Sequence, residues 1–300
     1  MKFEDTISDV YKSEFLSCCK NELDQVMQHF NPGESPYVLK NPLKTYINLL
    51  DKYGLLTPEK KRSFEEKFQD DLERSKFNHL KLRKICSDHD AYDIEDCILI
   101  ILIWGQIRPS PTTLNLAWKS LNSLSIKKFL EDIRSGKENE RKKIYSRFAA
   151  YRKSGKLKGI DTAYFTKIIY FLMNKDQGRG YILDQFTARS TNILLKQNII
   201  NINKNGTVES RKNDAEVYEK YCTFIEDLAK YLDNYFRKEL GRVDVEIKPQ
   251  HSEIFIFYDN KDPSGWRKKS DKIFKENTCS LVEVEWPYLI VVKNFFYILI

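Results

Sequence analysis

Residues 97–105, CILIILIWG, are apolar on every side. A helix with one wet face alternates apolar and polar residues with a 3.6-residue period, and this stretch has no polar face to offer water. It is also much shorter than the about 20 apolar residues that a membrane span needs. What remains is a helix buried all round, which obliges other helices to pack against it. Pro109 and Pro111 end it, because the residue before a proline is driven out of the helical region. Composition points the same way. A 300-residue chain with 41% hydrophobic and 13% aromatic residues can build a large core, while 11 Gly and 9 Pro are few for a turn-rich sandwich or barrel. The fold class expected is mainly α.

Hydrophobic periodicity and punctuation divide the chain. A first helix is expected over 1–31, stopped by NPGESP, and a second over 42–53, stopped at Gly54. Thr57 and Pro58 read as N-cap and first residue of a third, running towards LRKIC at 82–86. After the apolar helix come a short one with Ser125 as N-cap, a break at Gly136, and a basic helix over 138–153. The hairpin SGKLKGI joins this to a helix over 161–173. A long helix over 214–240 repeats Val217, Tyr221, Phe224, Leu228, Tyr231 and Tyr235. Residues 244–260 stay open between helix and strand, and the alternation in SLVEVEW at 280–286 suggests a small β element. The apolar run 286–300, broken by Lys293 and Asn294, reads as a buried strand or helix rather than a span. The division expected is a helical N-terminal subdomain (1–89), a core (90–258) and an appendage packing on it (259–300).

Charge is unevenly distributed. Residues 121–190 hold 16 Lys+Arg against 7 Asp+Glu, whereas the rest of the chain sums to −2. A positive excess confined to one segment suits a polyanion whose phosphates it can neutralise. Its alternative is a solvated helix face. The six cysteines form no CxxC pair and the four histidines have no ligand spacing, so neither metal nor disulfide framework is expected. The charged start MKFEDTISDVYK lacks the apolar run of a secretion signal, which implies a reducing, cytoplasmic setting.

Two places could carry chemistry. Gly159, between two helices, lets backbone N–H groups approach an anion, and the helix starting near Asp161 adds its positive dipole end. Lys153, Lys156 and Lys158 surround that point. Asp184 stands in an apolar frame, YILDQF, at a helix start. It either caps that helix or, kept ionised there, stabilises a developing cationic sugar or orients water.

A glycine hairpin between helices, an apolar helix and then this aspartate resemble the helix-hairpin-helix DNA glycosylases. More closely, WG at 104–105, KGIDTAYFTKIIYF and ILDQFTARS resemble bacterial proteins with an 8-oxoguanine DNA glycosylase fold, some of which act against phages with modified bases. The resemblance covers roughly residues 90–258. It implies a helix-hairpin-helix glycosylase-like core, Asp184 as the essential aspartate and Gly159 as the first hairpin glycine. The second hairpin glycine is replaced by Asp161, and the position of the strand-cleaving lysine falls on Ala163. Lys167, one turn later, is the local candidate for an amine nucleophile; its alternative is a surface lysine that contacts phosphate or packs its stem among helices.

The activity implied is extrusion of a modified or damaged base from double-stranded DNA and hydrolysis of its N-glycosidic bond, by a monofunctional, monomeric enzyme without cofactor. Arg147, Arg152, Lys153, Lys156, Lys158 and Arg189 are the expected backbone contacts. Trp104 would stack on the base, and Gln106, Arg108 and Gln185 would read its polar groups. A non-catalytic DNA-binding protein that retains the fold, and a helical module acting on RNA, are the alternatives.

Overall fold

The apolar run organises the protein. In the computed structural model, which describes residues 7–28, 42–72, 79–105, 107, 110–173, 178–257 and 265–284, it is helix α5 (Ile94–Trp104), and Asp96 to Trp104 are all buried. Asp93 caps it in a reciprocal capping box with Asp96. The buried Asp96 carboxylate is paired with Lys67 at 2.6 Å and Lys60 at 3.0 Å, which offsets its desolvation. Packed on α5 are α4 (His79–Ser87), α7 (Leu124–Arg134) and α9 (Thr162–Leu172). Beside them stand α2 (Leu43–Lys52), α3 (Pro58–Lys67) and α6 (Pro111–Leu121). A second group contains α8 (Arg141–Lys153), α10 (Gln185–Leu195), α11 (Ala215–Lys238), α12 (Pro249–Phe257) and α13 (Trp266–Val284), with α1 (Asp9–Gln28) laid across α10, α12 and α13. Among the described residues no strand is present, only an isolated bridge between Ile202 and Val208.

One hydrophobic cluster runs from Ile7 to Trp266, crossing the positions 89/90 and 258/259 at which divisions were expected from the sequence. Phe15 meets Trp266 edge to face at 5.1 Å, joining α1 to α13.

Several expectations are corrected. Helix α3 stops at Lys67 and does not continue into α4, since Phe68 leaves the helical region. The helix expected to be capped by Ser125 starts earlier, with Ser123 at its N-cap position. Pro111 opens α6 behind the N-cap Ser110, whose hydroxyl accepts from Thr113 N–H. The open segment 244–260 contains α12. The alternation at 280–284 lies inside α13, where Trp266, Ser270, Ile273 and Phe274 form a helical stripe against the core and outweigh a short period-two pattern. Residues 285–300 lie outside the described ones.

The hairpin between α8 and α9 is seated on α6. Gly159 has φ +73°, and a Cβ there would come within 2.9 Å of Thr113 O and Ala117 N, so the position demands glycine twice over. Lys158 N–H donates to Ser120 Oγ at 2.9 Å. Asp161 caps α9 by accepting from Tyr164 N–H.

From Arg179 to Asp184, ahead of α10, the chain runs extended and buried, without a sheet to satisfy its peptide groups. Side chains from five helices do so instead. Arg141 donates to Arg179 O, Tyr218 to Tyr181 O and Tyr221 to Ile182 O at 2.7–3.1 Å. Ile182 N–H donates to Glu253, Leu183 N–H to Thr166 Oγ1 and Asp184 N–H to Thr187 Oγ1. Each group left unpaired here would cost about 1–3 kcal/mol. Burial pushes the Glu253 carboxyl up to about 8, with the nearby Asp184 charge adding to the effect.

Two outcomes follow. A Cβ on Gly180 would sit 2.5 Å from both Ile169 Cγ2 and Tyr218 Oη, so Gly180→Ala should cost about 1–3 kcal/mol in thermal denaturation. Gly178→Ala, which meets nothing within 4 Å, should carry only the smaller strain of its positive φ. Because the folded-state pKa of Glu253 is raised, its contribution to stability is complete below its unfolded value near 4.5 and is lost as pH rises through about 8. Glu253→Gln keeps an acceptor for Ile182 N–H, and melting curves from pH 5 to 8.5 should show a flatter profile than wild type.

Candidate active site

The buried strap ends at Asp184, and there it meets the first turns of α9. Between them opens a cleft of about 260 Å³. Its α9 side consists of Asp161, Thr162, Ala163, Tyr164 and Lys167; Asp184, Gln185 and Phe186 form the opposite side, and Thr207 and Val208 of the bridge loop close one end.

Asp184 is only 7% exposed. Its Oδ1 accepts from Phe186 N–H at 2.8 Å and Thr187 N–H at 3.1 Å, a cap that fixes the carboxylate at the positive end of α10. Among the described residues no hydrogen bond reaches Oδ2. One oxygen therefore holds the group in place and the other is left uncommitted, in a residue that lines the cleft.

Lys167 occupies the other wall. Its stem lies along Gly105, where a Cβ would come within 3.3 Å of Lys167 Cδ and 3.1 Å of Tyr164 Cε1, so the glycine of the WG pair makes room for the lysine. The amine stands 5.2 Å from the centre of the Tyr164 ring. No hydrogen bond or ion pair holds it among the described residues. Burial lowers its pKa, and the charges of Asp184 and Asp161 partly restore it. Ala163 and Lys167 stand one helical turn apart and both line the cleft, so the one-turn displacement in sequence leaves the amine on the same face.

Much of the positive excess is consumed internally. Arg141 pairs with Glu219 and Glu226, Lys142 with Glu216, Lys143 with Glu140 and Lys127 with Glu95. The buried Arg134 donates to the carbonyls of Cys86, Asp88 and Tyr92. Lys153, Lys156 and Lys158 are exposed, Arg152 is half-buried, and none of the four makes an ion pair among the described residues. They cluster around the hairpin, where the N–H groups of Gly159 and Ile160 carry no backbone or side-chain acceptor among the described residues. Arg147 is exposed on the same helix, stacked 4.4 Å from the Phe129 ring.

Other expected positions fall elsewhere. Arg189 is not a surface cation: it is 8% exposed, paired with Asp271 at 2.7 Å, and donates to Gly206 O, so its donors serve the fold. Trp104 is 9% exposed and edge-on to Phe171 at 4.9 Å; it does not line the cleft. Gln185 does line it. Gln106 and Arg108 lie outside the described residues. Sequence reasoning missed Tyr164, Phe186, Thr207 and Val208. The first two are aromatic and within one turn of Lys167 or Asp184, a signal that was present; Thr207 and Val208 arrive from a loop about twenty residues on, with nothing local to mark them.

Among the described residues no group of three His, Cys, Asp or Glu side chains converges as metal ligands would, and no helix is long and apolar enough to cross a membrane. No curated protein and no solved structure matches the chain. A family model, "Putative 8-oxoguanine DNA glycosylase OGG-like protein", matches residues 49–257, which takes in α5, the hairpin, the strap and both walls of the cleft. With more than two thirds of its length matched, the chain belongs to this 8-oxoguanine DNA glycosylase OGG-like family, whose function is of DNA glycosylase type and whose substrate is DNA.

Proposed function

We propose that the chain excises a modified or damaged base from duplex DNA, with the nucleotide turned out of the helix into the cleft and Asp184 and Lys167 acting at its anomeric carbon. The observation that carries this reading is the pair itself: a carboxylate with one oxygen uncommitted and an amine with a lowered pKa share one cleft, unlinked by an ion pair that would quench both.

The sequence alone favoured hydrolysis by a monofunctional enzyme. The lowered pKa of Lys167 in the cleft favours a different division of labour. As the neutral form, Lys167 Nζ attacks the anomeric carbon while the bond to the base breaks and its electron pair leaves with the base. Asp184 stabilises the positive charge that develops on the sugar. Loss of the amine proton and opening of the sugar ring give an imine to Lys167, and removal of a proton from the neighbouring carbon expels the 3′ phosphate. Hydrolysis of the imine returns the lysine. The hairpin supports the duplex: the Gly159 and Ile160 amides meet one phosphate, and Arg152, Lys153, Lys156 and Lys158 neutralise its neighbours. Defence against viral DNA with modified bases is the setting that the family resemblance supports.

Base release should be measured as alkali-labile breaks in duplexes carrying ordinary, oxidised, hydroxymethylated or glucosylated bases. Asp184→Asn and Lys167→Gln should each lower it by about 10²–10⁴-fold. Wild type should also be trapped on DNA by borohydride, and Lys167→Gln should not. Base release retained in both variants would place the catalysis elsewhere and leave Asp184 as the cap of α10, and no release by wild type on any duplex, with duplex binding unchanged in Asp184→Asn, would establish a DNA-binding protein. The excision rate should rise with pH as Lys167 deprotonates, with its inflection below the ordinary lysine range because burial lowers that pKa.

Replacing Lys153, Lys156 and Lys158 by Gln should weaken binding to all duplexes alike and reduce the slope of log affinity against log salt by about 1 per lysine. An unchanged slope in the triple variant would place the DNA elsewhere.

A further inference from the structure

Helix α13 begins nine residues beyond the end of the family match, yet it reaches the cleft wall. Phe186, two residues after Asp184, lines the cleft and is half-buried. The guanidinium of Arg267, on the first turn of α13, lies 3.5 Å from the centre of its ring, which is full stacking contact. Phe186 lines the cleft and Arg267 does not, and the guanidinium of Arg189 stands farther off, 5.7 Å from the centre of the same ring. A further contact runs from Arg267 Nη1 to Phe257 O, tying the stack to the end of α12.

The helix that supplies this arginine is firmly anchored. Trp266 is fully buried against Phe15, Ser190 Oγ bonds Ser270 Oγ at 3.2 Å, Asp271 pairs with Arg189, and Lys269 pairs with Glu14 at 2.9 Å. All four of these contacts flank Arg267 within four residues. Such fastening fixes one side chain against one ring.

We infer that Phe186 is the surface on which the extruded base stacks and that Arg267 is a positioning residue for it, so that α13 completes the catalytic cleft. The inference rests on the base-excision reading and adds the group that grips the base. Of the two aromatic side chains in the cleft, Tyr164 already faces the Lys167 amine, and the buried Trp104 is edge-on to Phe171 outside it. That leaves the Phe186 ring to meet a base released beside Asp184. A guanidinium stacked on the ring holds it at one angle and draws electron density from it, which strengthens stacking on an electron-rich planar base.

The test uses the full chain with Phe186→Leu, Arg267→Leu and Arg267→Lys. Excision kinetics are taken on the duplex that wild type cleaves best, and affinity is measured for a duplex containing a tetrahydrofuran abasic analogue, which has no base to stack. Phe186→Leu should raise KM about tenfold and Arg267→Leu about fivefold with kcat little changed, because stacking binds substrate and transition state alike. Arg267→Lys should recover most of the loss. Affinity for the abasic analogue should stay at the wild-type value in all three, which also reports an intact fold. Unchanged KM in Arg267→Leu, or a matching loss of affinity for the abasic analogue, would overturn the inference while leaving base excision standing. No excision by wild type on any duplex would overturn the base-excision reading itself, and this inference with it.

Discussion

A buried extended segment in a helical protein has to find hydrogen bonds for its peptide groups without a neighbouring strand, and this constraint shapes the site. The strap from Arg179 to Asp184 solves it with side chains: Arg141 from α8, Thr166 from α9, Thr187 from α10, Tyr218 and Tyr221 from α11, Glu253 from α12. Because the partners come from five helices, the strap can occupy its place only when all five have docked. Asp184 is the last residue of that strap. Its position is therefore a property of the assembled core, as a carboxylate that must act on a defined carbon atom requires.

The same logic accounts for Arg141. A guanidinium buried on the strap would carry a large desolvation penalty alone, and Glu219 and Glu226 on α11 supply its counter-charges. Through one residue, the packing of α8 on α11, the neutrality of the interior and the carbonyl of Arg179 are coupled. Lys167 is the contrary case, a half-buried residue whose amine has no counter-ion in contact among the described residues. Burying a charge in that way costs stability, and the lowered pKa is the thermodynamic sign of the cost. Arg141 keeps its charge for the fold, whereas Lys167 is poised to shed its proton.

How much of this was legible in the sequence depends on the range of the interactions. Helix α5, the stripe of α11 and the caps at Thr57 and Asp184 are decided within a few residues, and composition and spacing show them. The hairpin and the aspartate were readable as a motif. Arg189 was not, because its role is settled by Asp271, 82 positions away, and a basic residue in a basic segment gives no local sign of being consumed inside. The Ser123 cap in place of Ser125, and α13 in place of a β element, are failures of boundary and of a short alternating pattern against a longer helical stripe. The walls contributed by Thr207 and Val208 depend wholly on tertiary placement.

Asp161 shows why a departure from a motif has to be judged in three dimensions. In sequence it places an anion where a hairpin glycine is expected, which argues against a phosphate nearby. In the structure its Oδ1 accepts from Tyr164 N–H, and the residue lines the cleft along with Lys167. The carboxylate thus has two uses on one side of the hairpin, capping α9 and opposing the loss of charge at Lys167. The φ +73° turn at Gly159 is unaffected, because Gly159 is fixed by its contact with the α6 backbone and not by the residue two positions on. What the hairpin needs from glycine is close approach to α6 and a left-handed φ, and the chain keeps glycine where both are required.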